Sequence, residues 1–367
     1  MSLALFIILT IYVIVIGLLI YGFFKVKKYK NFNLEPVTSF TILVAFRNEK
    51  QNLPILLESF QNLNYPFHLL EVILIDDDSY EKFQLLDFPF QVSVIDNIRV
   101  SNSPKKDAIV TAMKHVKTDW IITTDADCIV QENWLLAFDN YIQENNISML
   151  AGAVTYNCDN SFLNHFQQLD LTSLQGATIG SFGIKKAFMC NGANFAYKKS
   201  LFEKANGFEG NNKIASGDDV FLLQKVVNNC PKEVYYLKAK EAIVITKPTE
   251  TWKSLFYQRV RWAAKTSSYQ SIFGKGLGLI VFFTNLSFVL GFILMIFGIC
   301  SWSFFVLFVF LKFIFDFVLL SVTNDFLTNR PIRSLFMSSL LYPFFSSGVA
   351  LYSLFGSYKW KDRRFKA

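Results

Sequence analysis

Trp120-Ile121-Ile122-Thr123-Thr124-Asp125-Ala126-Asp127-Cys128 is the stretch on which the reading of this chain turns. The apolar run from Trp120 to Ile122 reads as a short buried strand. It stops at two aspartates separated by one residue. In an open α/β sheet, ligands sit just beyond the carboxyl ends of the strands. Two carboxylates placed there make a hard, anionic oxygen site. Such a site suits Mg²⁺ or Mn²⁺ shared with a diphosphate rather than zinc. The competing reading is a polar turn after a strand, since Asp is common in turns. The rest of the chain has to decide between the two.

Outward from that stretch the texture is one of strand–helix alternation, from about residue 39 to residue 247. Strands are predicted at Phe40–Ala45, Val72–Ile75, Val92–Ile95, Trp120–Thr123 and Met149–Val154. Helices are predicted at Gln51–Phe60, Lys105–Val116 and Asn133–Ile142. This alternation predicts a mostly parallel, twisted, Rossmann-like sheet with helices on both faces. Neither GxGxxG nor GxxxxGK[ST] occurs, so a dinucleotide fold and a P-loop are both unsupported.

The two ends of the chain are different material. Of 367 residues, 52% are hydrophobic and the mean hydropathy is +0.31, too apolar for a purely soluble protein. Leu3 to Phe24 is an uncharged apolar run of about 22 residues, enough to cross a bilayer. No basic residue precedes it and no small-residue cleavage site follows it, so a retained anchor fits better than a signal peptide. Further spans are predicted at Leu277–Cys300, Trp302–Leu320 and Leu335–Gly356, with a tight turn at Cys300–Ser301–Trp302.

The net charge of +7 is carried by two clusters. One is Lys25, Lys27, Lys28 and Lys30. The other is Lys359, Lys361, Arg363, Arg364 and Lys366, less Asp362. Lysines beside an apolar span read as cytosolic anchors, not as a nucleic-acid-binding face. The five cysteines show no CxxC spacing, which points to a reduced, cytosolic setting for the central segment.

A conflict follows from this layout. Three full crossings after a cytosolic domain would put the basic tail outside, against the positive-inside rule. The fourth segment holds Pro343, Gly348, Ser338, Ser339, Ser346 and Ser347, and it is expected to turn back within the membrane or to lie at its surface. Lys312 and Asp316 stand four apart in the third span. They share a helix face and neutralise each other, either as a structural pair or as the lining of an acceptor path.

Several motifs share the strand edge with Asp125 and Asp127. Val44-Ala45-Phe46-Arg47-Asn48-Glu49 ends the first strand, and Ile73-Leu74-Ile75-Asp76-Asp77-Asp78-Ser79 ends the second. Each places carboxylates or amides where ribose hydroxyls and base edges can be held. Pro104-Lys105-Lys106 opens a helix, a position suited to clamping a diphosphate. Ser216-Gly217-Asp218-Asp219-Val220 begins another helix, where a carboxylate is either a cap or a general base. Gln258, Arg261 and Trp262 are spaced i, i+3 and i+4 and share one face of an amphipathic helix. That face is either an interfacial Trp/Arg belt or part of a site.

In this order the motifs resemble those of the inverting family-2 glycosyltransferases of GT-A fold. The likeness is to the membrane-bound branch with the polysaccharide synthases and ceramide glucosyltransferase. The resemblance covers about residues 39 to 262, and Gln258-x-x-Arg261-Trp262 is specific to that branch. It implies that Glu49 and Asp77 contact the uridine, and that Lys105 or Lys106 meets the nucleotide. It places Asp125 near the ribose and diphosphate, and Asp127 on the metal. Asp219 is then the general base, with Gln258, Arg261 and Trp262 flanking the diphosphate and acceptor. Two departures stand out. Asp78 occupies a position that is usually Gly, and Asp218 one that is usually Glu, which leaves the choice of base between Asp218 and Asp219 open.

The expected organisation is an anchor over 1–30 and a cytosolic GT-A domain over 31–249. An interfacial helix over 250–275, a membrane region over 276–358 and a basic tail over 359–367 follow. The expected activity is that of a metal-dependent hexosyltransferase (EC 2.4 class), multi-pass in a bacterial inner membrane with its catalytic domain in the cytosol. It would move sugar from a nucleotide sugar, a UDP-sugar first, to a lipid-linked or glycan acceptor. The partners are membrane lipids and these substrates, and no nucleic acid. The other readings are a small processive polysaccharide synthase and an inactive transferase-like membrane scaffold.

Overall fold

The computed structural model describes residues 2–31, 33–212, 214–361 and 363–366. Met1, Phe32, Lys213, Asp362 and Ala367 fall within segments assigned above and lie outside the described residues. The chain divides into two compact units. One, the α/β unit, is Lys27–Asn157 with Met189–Lys247. The other, the helical unit, is the chain up to Val26 with Cys158–Phe188 and everything from Pro248 on.

The α/β unit is built on β1 (Phe40–Phe46), β2 (Leu70–Asp76), β3 (Gln91–Asp96) and β4 (Trp120–Thr123). These four are mutually parallel in the order β3-β2-β1-β4. β8 (Phe195–Lys198) then pairs antiparallel to β4, followed by β6 (Met149–Gly152) and β9 (Val234–Leu237). Buried β-branched and aromatic residues on both faces of β1 and β2 are what a helix-covered parallel sheet requires.

α2 (Leu53–Gln61) supplies Leu53, Leu56, Leu57 and Phe60 to the core, at i, i+3, i+4 and i+7. α4 (Trp134–Glu144) supplies Trp134, Leu135 and Phe138, and the Trp134 ring stacks on Phe60. Each such fully buried side chain contributes about 1.5–3 kcal/mol. α3 (Pro104–Met113) packs against β1 and β2.

The predicted strand Met149–Val154 is two strands. β6 ends at Gly152, and β7 (Val154–Tyr156) joins a second sheet of order β5-β10-β7, with β5 at Cys128–Ile129 and β10 at Val244–Thr246. Buried Asn194 makes the break. Its amide donates to the carbonyls of Ala153 and Ala242, each at 2.7 Å, and its oxygen accepts from Trp134 Nε1. A Cβ at Gly152 would lie 2.4 Å from that amide nitrogen. Periodicity cannot report a polar side chain that replaces a ladder partner. Two further helices, α6 (Lys199–Lys204) and α7 (Asp218–Asn229), complete the unit.

The helical unit holds α1 (Ser2–Lys25), α5 (Phe162–Gly183), α8 (Trp252–Ala264), α9 (Ile272–Ile296), α10 (Trp302–Leu327) and α11 (Leu335–Phe355). Among the described residues four of these are long and apolar enough to cross a membrane: α1, α9, α10 and α11. α9 starts and ends earlier than the predicted span, and α10 runs on past Leu320. α11 is one continuous helix through Pro343, so the expected turn-back inside that segment does not occur.

α5 has no counterpart in the sequence reading. It lies in the stretch assigned to the cytosolic domain, yet it clusters with the membrane-spanning candidates. Its glycines explain its place. A Cβ on Gly180 would stand 2.3 Å from the Leu19 carbonyl, and one on Gly183 would stand 1.8 Å from the Gly22 carbonyl. Small residues let two backbones meet where lipid gives no hydrophobic drive between helices.

Lys312 pairs with Asp316 at 2.6 Å, and Asp316 also accepts from the hydroxyl of Tyr12 on α1. The terminal segment, expected as a basic tail, forms a hairpin of β11 (Ser357–Trp360) and β12 (Arg363–Lys366). Tyr358 and Phe365 pack with Val260 of α8.

Candidate active site

The register sets where the functional side chains emerge. Phe46 of β1 stands level with Asp76 of β2, and Asp76 with Asp96 of β3. The loops that follow all leave the sheet at one edge. Asn48 (φ 57°) and Asp78 (φ 64°) are both left-handed, a conformation that Asn and Asp tolerate better than other non-glycine residues. Arg47 holds these loops together. Its guanidinium donates to the carbonyls of Asp77 and Asp78, at 2.8 and 2.6 Å, and pairs with the Asp78 carboxylate at 3.0 Å. Glu49 accepts from Asn52 at the start of α2.

Asp77 is buried and accepts from the Asn97 amide at 2.7 Å. Arg99 reaches both Asp77 and Asp107, at 3.4 Å each. Asp107 is buried in the first turn of α3 and accepts from the backbone N–H groups of Val100 and Ser101. Together these fix the loop between β3 and α3. An open cavity of about 420 Å³ lies along it, lined by Arg99, Val100, Ser101, Asn102 and Asn212.

The two lysines that open α3 part company. Lys106 is buried and donates to the carbonyls of Asn211 and Ile214, at 2.8 and 3.0 Å, with its ammonium over the Phe221 ring. Lys105 turns toward the acids. It meets Asp125 Oδ1 at 2.6 Å and Asp218 Oδ2 at 3.5 Å. Burial pulls the Lys105 ammonium down, but Asp125, Asp218 and Asp219 outweigh it and hold the group above the ordinary lysine value.

Asp218 and Asp219 form the first turn of α7, after Gly217 in the left-handed conformation (φ 84°). Asp218 is buried, whereas Asp219 is partly exposed. Asp219 Oδ2 accepts from the Gly192 N–H at 2.8 Å, and the Gly192 carbonyl accepts from Thr123 at the end of β4. Gly192 thus ties the end of β4 to the acidic helix start. A Cβ there would lie 3.2 Å from Asp218 Oδ2 and 3.3 Å from Lys105 Nζ. The sequence reading missed Gly192, Arg47, Asn97, Arg99 and Asp107. Asn191-Gly192, a turn pair between apolar runs, was the one local signal available.

Asp125 and Asp127 are both partly exposed. Burial and these two carboxylates push the Cys128 thiol well above its usual value. Among the described residues no three His, Cys, Asp or Glu side chains form a metal cage. Two partly exposed carboxylates, one of them paired with Lys105, fit a hard cation that takes its remaining oxygens from a diphosphate and water, the usual manner of Mg²⁺ binding.

Gln258, Arg261 and Trp262 belong to the helical unit, on α8. The neighbour that organises them is Arg259. It is buried, pairs with buried Asp170 of α5, donates to Gln258 Oε1, and stacks 4.1 Å over the Trp262 ring. A charge buried in this way is retained only when paired.

The chain is similar to known proteins in sequence and in fold. Residues 41–205 match the model of glycosyl transferase family 2. The probable glycosyltransferase YdaM of Bacillus subtilis (strain 168) is 24% identical over 240 residues, or 63% of this chain and 56% of that protein. This chain therefore spans little more than half the length of the relative it matches. Among solved structures, the mannosyltransferase PcManGT from Pyrobaculum calidifontis, in complex with GDP-Man and Mn²⁺, superposes with a TM-score of 0.54. It is 13% identical over 96% of this chain and 99% of that one. S. aureus TarS is similar at a TM-score of 0.43 and 14% identity, over 90% of this chain and 96% of that one.

Proposed function

We propose, from the match of residues 41–205 to the model of glycosyl transferase family 2 and from the fold shared with PcManGT, that the chain is a membrane-bound, inverting transferase of sugar from a nucleotide-diphosphate donor. The observation that carries this reading is the meeting of Lys105, Asp125, Asp218 and Asp219 at the strand edge that also presents Arg47, Glu49 and Asp77. A cluster with this charge suits a diphosphate on one side and an acceptor hydroxyl on the other.

The roles are those the resemblance implies, and the positions of these side chains support them. Asp77, held by Asn97 and Arg99, receives the nucleoside, with Glu49 beside it. Lys105 meets the diphosphate. Asp125 and Asp127 would hold Mg²⁺ or Mn²⁺, which supplies charge stabilisation to the departing nucleoside diphosphate; the Mn²⁺ and GDP-Man in PcManGT support that choice. Asp219 is the more exposed of the helix-start pair and is oriented by Gly192. It takes the proton from the acceptor hydroxyl, a contribution of about 10²–10⁴-fold. The acceptor oxygen bonds to the anomeric carbon as the bond to the diphosphate oxygen breaks, so the anomeric configuration inverts. Gln258, Arg261 and Trp262 lie on α8 of the helical unit, and the resemblance alone assigns them to the diphosphate and acceptor.

The acceptor is a lipid or lipid-linked alcohol. Its support is the small number of long apolar helices, too few to wrap a wide channel. The α/β domain faces the cytosol of a bacterial inner membrane, as the lysines after α1 favour. Membranes containing the protein, incubated with UDP- and GDP-sugars, should yield a small mobile glycolipid by thin-layer chromatography and mass spectrometry. A high-mass, glycosidase-sensitive polymer would favour a polysaccharide synthase, and no product with any donor would remove the proposal.

A further inference from the structure

We infer that Lys105 is the resident cation of the acidic site, and that it keeps a divalent ion out until a nucleoside diphosphate draws it away. Metal and nucleotide then enter as a coupled pair. The inference rests on the nucleotide-sugar reading above and adds an order of binding to it.

The geometry puts one ammonium where a metal's charge would be felt. Lys105 Nζ is 2.6 Å from Asp125 Oδ1 and 3.5 Å from Asp218 Oδ2, with its side chain 20% exposed. Asp219 shares the first turn of α7 with Asp218 and adds a third carboxylate to that cluster. Asp125 is the carboxylate that opens the metal-binding pair. Half of that pair is therefore neutralised by a charge of the same sign as the incoming ion. An approaching divalent cation meets the ammonium at close range, where like charges repel strongly in a partly desolvated site.

The contact also links two separate elements, the loop after β4 and the start of α7. Gly192 packs against the start of α7 and the lysine itself, where a Cβ would stand 3.2 Å from Asp218 Oδ2 and 3.3 Å from Lys105 Nζ. Lys106 cannot take over the role, because its ammonium is engaged by the Asn211 and Ile214 carbonyls.

A diphosphate reverses the balance. It brings more negative charge than Asp125 and several acceptor oxygens, and a lysine on a flexible four-carbon stem can turn to it. Asp125 is then released to the metal with Asp127. Binding of each partner strengthens the other, and the coupling is reciprocal.

The test is Mn²⁺ uptake by the purified full-length protein, read as loss of the free-ion EPR signal, with and without UDP. The unmodified protein is expected to bind Mn²⁺ at least tenfold tighter with UDP present. Lys105→Met is expected to bind Mn²⁺ alone at least tenfold tighter than the unmodified protein, with the gain from UDP reduced. Lys105→Arg keeps a cation and is expected to exclude the metal as lysine does. Equal Mn²⁺ affinity with and without UDP in the unmodified protein would overturn the inference without any variant. So would a Lys105→Met protein, monodisperse on size exclusion, whose affinity for Mn²⁺ alone is unchanged or weaker. Absence of any Mn²⁺ uptake by the unmodified protein even with UDP would overturn the nucleotide-sugar reading itself, and this inference with it.

Discussion

The backbone N–H of Gly192 donates to Asp219 Oδ2 at 2.8 Å. This bond reaches the proposed base from a loop far from it in sequence, and the Val220 N–H donates to the other carboxylate oxygen at 2.7 Å. The space around Gly192 is nearly full, with Asp218 and Lys105 atoms 3.2 and 3.3 Å from where a Cβ would sit. Gly192→Val is expected to lower kcat by about 100-fold, the size of effect that follows from about 1 Å of misplacement, while the protein still folds. Gly192→Ala needs shifts of only a few tenths of an ångström and is expected to lose much less. Initial rates of sugar transfer on size-exclusion-purified variants check both.

Asp219→Asn keeps the acceptor of the Gly192 bond but removes the proton-accepting carboxylate. Transfer is expected to fall by about 10²–10⁴-fold, with UDP affinity within a few-fold of the unmodified protein. Asp218→Asn, in contrast, weakens a contact of Lys105 and is expected to change nucleotide and metal binding as well. Retained turnover in Asp219→Asn would reassign the base.

The close approach of α1 and α5 gives a stability prediction. A Cβ at Gly180 would stand 2.3 Å from the Leu19 carbonyl, whereas at Gly276 nothing lies within 4 Å. Gly180→Ala is expected to cost about 1–3 kcal/mol, the usual range for overpacking, and Gly276→Ala close to nothing. Thermal midpoints of the detergent-solubilised proteins compare them directly.

Both ends of α11 are held by segments that follow closely on the exits from the α/β unit. At its start, Ser334 Oγ meets His165 Nδ1 at 2.9 Å, and Arg330 donates to the Cys158 carbonyl at 2.9 Å. At its end, the Tyr352 ring packs on Phe256 and Tyr257 of α8. An α11 that lies along the membrane surface, the other placement expected from the sequence, keeps the basic hairpin on the cytosolic side. Green fluorescent protein fused after Ala367 is therefore expected to fluoresce in cells. An active alkaline phosphatase fusion at the same point would show an extracytoplasmic end.

Lys238 provides a pH signature. Burial, and then the charge of Lys28, lower its ammonium from 10.5 to about 8. Between those values the unfolded chain binds more protons than the folded one, so unfolding free energy rises with pH. Below about 8 the group is charged in both states and the full penalty is present. The thermal midpoint should rise from pH 8 toward pH 10 in the unmodified protein, and Lys238→Met should flatten that rise.

Much of this was legible in the sequence, for definite reasons. Buried parallel strands such as Phe40–Phe46 and Leu70–Asp76 are continuous apolar runs, and their ends carry the acids, so fold and strand edge read together. The helix start at Asp218 was marked by Gly217 and the carboxylates after it. α5 was not legible, because its faces alternate Gln, Asp and Thr with small residues. A helix packed through backbone contact at Gly180 and Gly183 needs no apolar stripe. The roles of Arg47, Asn97 and Arg99 were hidden for another reason. They bond to loops that only the sheet register brings beside them, and no local pattern records a partner 20 or 30 residues away.

The proposed chemistry depends on one property of the α/β domain, the joint holding of a nucleoside diphosphate and a divalent cation by Lys105, Asp125 and Asp127. Isothermal titration of UDP and GDP into the purified protein, with and without Mn²⁺, measures it directly. Tight binding of one nucleotide only when Mn²⁺ is present is expected, together with its loss in Asp125→Asn/Asp127→Asn. Nucleotide binding that is indifferent to Mn²⁺, or that survives in the double variant, would contradict it.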